Sequence, residues 1–428
     1  MGSTIQDWAI MNKFLFIISL VFSVSTFAAD TDREYQLLKD PYLALNARVR
    51  PLLGKDLTVE EFNAHDPQMD LDFSQAPELK TVILSTLVIT HDFIGTIMLR
   101  LLDHHANKGT QIYVMVTKQL IYHKEKDWLA RFSKSSPNIH FYIYNKEDAS
   151  LWTKIQSANH VKVFLTIPKE LDQGCSIVSG GRNTSDMYFF ETKPLYPEYP
   201  ELVQWGEKKY EWSYFDDLDI LTKNCTKAQR IESDLIKFFN KTLKGPVVND
   251  EFILSIPSSK NLEKSYVKLI DQASVSIKIL SPYLNITESI FQALIRAQKR
   301  NVLVEMVTAK SIASDYLPIF LQPAMNYSLR KILKHFKVHL YSFKENIPHA
   351  KALLIDDKML SIGSVNLNQR SFHFDTEFTQ LISDAELIND FNEVFQDSYI
   401  NHSEEVGSDY KIPYGPMETL ILGFEKAF

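Results

Sequence analysis

Four sequence landmarks occur twice in this 428-residue chain, in the same order, which points to a fold of two like halves. Ile-Leu-Ser stands at 83–85 and again at 279–281. Met-Val-Thr stands at 115–117 and at 306–308. Each half then reaches a His-x-Lys pair, His160/Lys162 and His349/Lys351. A Gly-[Gly/Ser]-x-Asn run follows each pair, ending at Asn183 and at Asn366. Chance explains one shared tripeptide, but not four landmarks in register.

The segments between the landmarks have alternating character. Residues 82–85, 111–117 and 140–144 are apolar and aromatic strand runs, with a helical stretch over 92–107. The second copy gives strands at 276–281, 302–308 and 338–341. Its helix over 288–300 carries an apolar stripe at Ile290, Leu294, Ile295 and Ala297. Strands alternating with helices predict an α/β fold of two pseudo-symmetric halves, each a mixed β-sheet flanked by helices. The active site is expected at the interface between the halves. The halves are assigned to 30–245 and 246–400, split near Lys244-Gly245-Pro246, with a C-terminal extension over 401–428.

Residues 1–29 are expected to be a signal peptide. Lys13 precedes an apolar run over 14–24, and Thr26 and Ala28 give a small-x-small cleavage pattern. The expected location is therefore secreted or periplasmic. Two cysteines, Cys175 and Cys225, would meet an oxidising compartment there, where such a pair often forms a disulfide. Sequence alone leaves their separation open. A formal net charge of −7 gives no basic surplus for gripping nucleic acid.

The second motif reads His349-Ala-Lys351, Asp356, Gly363-Ser364-Val365-Asn366 and later Glu377. This resembles the His-x-Lys-x4-Asp-x6-Gly-Ser-x-Asn signature of the phospholipase D superfamily. The first motif departs from it. Ile167 stands where Asp belongs, and 20 residues separate His160 from Gly180 against 14 from His349 to Gly363. The extra residues, 168–174, suit a lengthened hairpin turn in which Asp172 is the one candidate substitute. Asp356 itself is read as structural.

The chemistry explains the residue types. A phosphodiester is an anion that resists attack, so a site must neutralise its oxygens and supply a nucleophile. Lys162, Lys351, Asn183 and Asn366 suit the first task, with Ser364 a further donor. A neutral imidazole can attack and form a phosphohistidine, while a second imidazole protonates the leaving alkoxide. His and Lys two apart on an extended segment share a face. The resemblance implies that His160 attacks and His349 is the acid. It also implies an acidic residue after each motif to fix each imidazole, Asp217 for the first half and Glu377 for the second.

The resemblance implies a phospholipid substrate at a membrane surface, attacked by water or an alcohol acceptor, in a monomer. No cofactor is required. A divalent cation on the Asp216/Asp217/Asp219 cluster is a minor alternative. Hydrolysis of glycerophospholipid head groups is the leading expectation. The alternatives are transfer of cardiolipin synthase type, a secreted endonuclease, and an inactive lipid-binding protein. The aromatics Tyr188, Phe189, Phe190, Tyr196, Tyr199, Trp205 and Trp212 are read as packing first and as a membrane-facing rim second.

Overall fold

Two apolar strand sets, each followed by its motif, form the framework seen in the computed structural model. It describes residues 33–121, 123–144, 157–207, 210–257, 259–311, 321–341 and 346–412. The segment expected to be a signal peptide, and the turn residues of the C-terminal tail at Pro413 and Gly415, lie outside these residues.

In the first half the strands are β1 (Tyr35–Leu38), β2 (Leu79–Ser85), β3 (Gln111–Thr117), β4 (Ile139–Tyr144), β5 (Val163–Pro168), β6 (Ser176–Gly180), β7 (Tyr214–Asp216) and β8 (Asp219–Thr222). Seven of them form one sheet in the order β1-β8-β6-β5-β2-β3-β4. Then follow β9 (Val247–Val248), β10 (Phe252–Ser255), β11 (Ser276–Leu280), β12 (Leu303–Ala309), β13 (Val338–Tyr341), β14 (Asn346–Pro348), β15 (Ala352–Ile355), β16 (Met359–Gly363), β17 (Glu377–Ile382) and β18 (Ser403–Val406). Nine of these form the second sheet, β18-β13-β12-β11-β15-β16-β17-β10-β9.

The two orders superimpose. β2, β3 and β4 run parallel, as do β11, β12 and β13. Each triplet meets an antiparallel strand that leaves its His-x-Lys motif, β5 and β15, and then β6 and β16. The parallel crossovers are the helices Phe93–Asn107 and Glu288–Lys299, capped by Asp92 and Thr287. The segment after 400 is not a separate appendage: β18 pairs with β13 and closes that edge of the second sheet.

The described residues from Tyr35 onward behave as one compact unit. Each half has its own core, but two further cores are shared. In one, the helix Cys225–Phe239 contributes Ile231 and Leu235 beside Val161 and Leu165 of the first half and Phe252 and Phe378 of the second. In the other, Leu218 and Ile220 pack with Leu280, Leu354, Leu360 and Phe391. The halves are thereby held in fixed register at the motifs. The hydrogen bond from Gln380 Nε2 to Ser179 Oγ, 2.8 Å, ties the sheets together there.

The lengthened first-half hairpin is pinned by the Cys175–Cys225 disulfide. Asp172 is exposed in that turn and does not replace the missing motif aspartate. In the second half Asp356 clamps the start of β11. It accepts from Ser274 N, Ser274 Oγ, Val275 N and Ser276 N at 2.7–2.9 Å. In the first half a different device serves. Lys169 N donates to Glu78 O at 2.9 Å, and its Nζ pairs with the Glu78 carboxylate at 2.9 Å.

Candidate active site

Each His-x-Lys segment is held by the other half. His160 N donates to Thr376 O at 3.1 Å, and His349 N donates to Asp216 O at 2.6 Å. β14, which leads into His349, pairs in parallel with β7, which leads into Asp217. The matching contact before His160 is the bridge between Asn159 and Thr376. Each histidine is thus delivered beside the carboxylate that follows the opposite Gly-x-Asn motif.

The carboxylates are consequently crossed. His160 Nδ1 lies 3.0 Å from Glu377 Oε1 and Oε2. His349 Nδ1 lies 2.5 Å from Asp217 Oδ2. This corrects the chain-order assignment of Asp217 to the first histidine and Glu377 to the second. The bonds fix Nδ1 on both rings and leave Nε2 as the reactive atom.

Glycine at 181 is required by close approach. A Cβ there would lie 2.0 Å from Asp217 Oδ1. The residue at the matching place, Ser364, instead hydrogen-bonds the Glu377 carboxylate, and its Oγ accepts from Phe378 N at 3.0 Å. Ser364 therefore braces the carboxylate behind His160, not a substrate phosphate, which corrects its expected role.

The two lysines share this buried site. Lys162 Nζ donates to His160 O at 3.2 Å, and Lys351 Nζ donates to His349 O. Burial pushes Lys162 down to about 8 and Lys351 down to about 7, although Asp217 and Glu377 both pull upward on each ammonium. Burial, with Lys351 beside it, pushes His349 down to about 3 against the pull of Asp217. Burial and Lys162 hold His160 well below the usual histidine range. Both rings therefore rest as neutral imidazoles. Burial alone would raise Asp217, but His349 and Lys351 outweigh it and hold the carboxyl at about 2. Glu377, by contrast, is pushed up by burial to about 7 against Lys162 and Ser364. The two dyads are alike in geometry and unlike in charge.

The asparagines differ as well. Asn183 Oδ1 is held by Thr86 Oγ1 and Leu87 N, and its Nδ2 donates to Tyr188 OH at 2.7 Å. One amide hydrogen remains for a phosphate oxygen. Asn366 Oδ1 is buried with no hydrogen-bond partner among the described residues.

Several neighbours were not legible from the motifs. Asp216 pairs with Lys39, and Asp219 with Arg48 at 2.9 Å and Arg182 at 3.4 Å. Arg182 also donates to Leu38 O and Lys39 O, so it is a structural cation. Arg370 pairs with Asp375 at 2.9 Å. The three aspartates of the 216–219 cluster thus have different partners: Lys39 for Asp216, His349 for Asp217, and Arg48 with Arg182 for Asp219. Among the described residues, no three His, Cys, Asp or Glu side chains are grouped to hold a metal ion. The aromatics Tyr188, Phe189, Phe190, Tyr196 and Trp205 are buried in the first-half core. Tyr196 and Trp205 hydrogen-bond Asp186.

This fold and centre define a class: a pseudo-symmetric α/β protein with one composite site built from two His-x-Lys segments. The family described as "Cardiolipin synthase, PLD-like domain" matches residues 266–399. Cardiolipin synthase 1 of Bacillus anthracis is 29% identical over 36% of this chain and 30% of its own length. The CDP-diacylglycerol–serine O-phosphatidyltransferase of Escherichia coli K12 is 23% identical over 61% of this chain and 64% of its own. The chain thus spans less than two thirds of the length of these curated relatives. The crystal structure of phosphatidylserine synthase from Haemophilus influenzae Rd KW20 has the same fold. Its TM-score is 0.63 at 13% identity, over 92% of this chain and 93% of that one. Polyphosphate kinase of Porphyromonas gingivalis gives 0.57 at 12% identity, over 92% and 53%, so this fold serves more than one chemistry. These matches support membership of the phospholipase D superfamily, with the family model covering residues 266–399.

Proposed function

We propose that this protein is a phosphatidyl transferase, moving the phosphatidyl group of a glycerophospholipid onto an alcohol through a phosphohistidine. The observation that carries this reading is the crossed pair of dyads, which sets two neutral imidazoles and two lysines in one buried site. The lysines and the amides of Asn183 and Asn366 neutralise the phosphodiester oxygens. His160 Nε2 attacks phosphorus, and His349, having taken a proton as the anion binds, gives it to the departing alkoxide. The acceptor alcohol then attacks phosphorus, its proton returns to His349, and the phosphorus–nitrogen bond breaks.

The assignment of roles follows from charge. The ionised Asp217 behind His349 stabilises an imidazolium, which an acid needs. Glu377, raised to about 7, favours a neutral ring at His160, which a nucleophile needs. Similarity to cardiolipin synthases and to a serine phosphatidyltransferase supports transfer over the hydrolysis expected from sequence. Export is part of the proposal, supported by the apolar run over 14–24 and the Cys175–Cys225 bridge.

The test is product analysis. Wild type, His160→Ala and His349→Ala are incubated with phosphatidylglycerol vesicles and, separately, with plasmid DNA. Transfer product from wild type alone supports the reading. DNA cleavage without lipid turnover overturns it, and phosphatidate as the sole lipid product returns it to hydrolysis.

A further inference from the structure

The pseudo-two-fold relates His160 to His349, Asn183 to Asn366 and Asp217 to Glu377. It therefore relates positions close to each anchor, before the spacing of the two halves diverges. Phe215, two before Asp217, corresponds to Asp375, two before Glu377. Tyr188, five after Asn183, corresponds to Ser371, five after Asn366. Ser85 pairs with Val163 and Leu280 with Ala352, each the residue after a motif lysine, so in strand register Tyr283 corresponds to Val88.

All three members of the first set stand around His349. The Phe215, Tyr188 and Tyr283 rings lie 5.1, 5.4 and 6.1 Å from its imidazole, each edge-on at 62–74°. Phe215 and Tyr188 stack on one another at 4.8 Å. The counterparts near His160 are polar or small. Asp375 is buried and paired with Arg370, and the Ser371 hydroxyl accepts from Asn366 N. Among the described residues, two histidines that are equivalent by position thus face different walls, aromatic at His349 and largely polar at His160.

The difference falls on the histidine that handles oxygen. His349 meets the leaving alkoxide and then the entering hydroxyl, and both occupy the same side of phosphorus. His160 meets phosphorus alone. An aromatic wall beside the oxygen position favours an occupant with C–H surface to bury and disfavours water, which has none.

We propose that Phe215, Tyr188 and Tyr283 form the alcohol subsite, taking an organic polyol by its carbon face and excluding water, so that His349 serves transfer in preference to hydrolysis. This rests on the transferase reading above. The bonds made and broken are those already given: acceptor oxygen to phosphorus forms, His160 nitrogen to phosphorus breaks, and the acceptor proton passes to His349. With water in the same place the product is phosphatidate.

The test uses the full chain and vesicles of phosphatidylglycerol, which is both donor and acceptor. Cardiolipin and phosphatidate are quantified in the same reaction. Tyr283→Val installs the residue of the other half, and Phe215→Leu keeps an apolar side chain on β7. Each is expected to lower the cardiolipin-to-phosphatidate ratio roughly tenfold or more, the scale of discrimination set by a methylene or two in a pocket. The double variant should lower it further. An unchanged ratio in folded variants, even with total turnover reduced, overturns the subsite, because a merely structural ring slows both products together. Thermal melting identifies folded variants, and Phe215→Leu is the conservative second probe. A wild type that forms phosphatidate alone, or neither lipid product, overturns the transferase reading itself and the subsite with it.

Discussion

Replacing Asp217 by Asn separates the crossed arrangement from the one that chain order suggests. The substitution keeps the shape of the side chain and removes the charge behind His349. The Nδ1···Oδ2 contact is 2.5 Å and fully buried, with the carboxyl held at about 2. Hydrogen bonds to charged groups of this kind contribute ~1.5–3 kcal/mol. At 1.36 kcal/mol per factor of ten, the step that protonates an alkoxide should slow roughly 10- to 150-fold. The assay compares two phosphodiesters by rapid quench. One has an alkyl leaving group, and the other releases p-nitrophenolate, which is stable as an anion and needs no proton. Asp217→Asn should lose the burst with the alkyl ester and retain it, within about threefold, with the nitrophenyl ester. Glu377→Gln, which disturbs the attacking ring, should slow both. If Asp217→Asn abolishes both bursts, Asp217 serves the nucleophile and the charge-based assignment of roles is wrong.

Four further outcomes follow from the structure. Burial lowers Lys351 to about 7 and Lys162 to about 8, so at pH 8 a large share of both is neutral before an anion binds. An oxyanion raises both, so inorganic phosphate should bind with proton uptake at pH 8. Calorimetry in two buffers of different ionisation enthalpy reads this directly, and a buffer-independent heat contradicts it. The folded pKa of each lysine lies below its unfolded value, so the unfolded chain holds more protons between pH 8 and 10. This term therefore makes ligand-free stability rise with pH in that window, and titrating Lys351→Met, which should flatten the slope, checks it. The Cys175–Cys225 bridge closes a separation of 50 residues, for which loop closure corresponds to ~4 kcal/mol. Reduction should lower the melting temperature by several degrees. Asp356→Ala removes the clamp on Ser274–Ser276 and should cost about 1–3 kcal/mol in denaturant unfolding while sparing kcat, since Asp356 is remote from the dyads in its contacts.

Much of the site was legible because its signals are local. His-x-Lys on an extended segment and glycine where a carboxylate crowds the backbone are short patterns with a physical cause. The strand and helix periods on both sides of the motifs sufficed to place β2, β3, β11 and β12. What was not legible is long-range. Sequence order sets Asp217 after His160 and Glu377 after His349, and only the pairing of β14 with β7 and the Asn159–Thr376 bridge exchange them. Ser364 looked like a phosphate donor because a hydroxyl beside a motif has no visible partner in sequence. Its partner, Glu377, lies on a neighbouring strand. The missing first-half aspartate was replaced by Lys169 and Glu78, two exposed residues that no motif marks. The aromatic run that offered a membrane rim instead fills a core, except where Tyr188 reaches His349.

The account turns on a phosphatidyl group carried by His160. Acid-free quenching of wild type during turnover on phosphatidylglycerol, followed by proteolysis and mass spectrometry, locates the adduct. The expected result is a phosphatidyl-histidine on the peptide containing His160, scarce in His349→Asn, which lacks the acid for the departing glycerol, and absent from His160→Asn. An adduct on His349, or turnover to lipid products with no adduct on either histidine, would contradict the account.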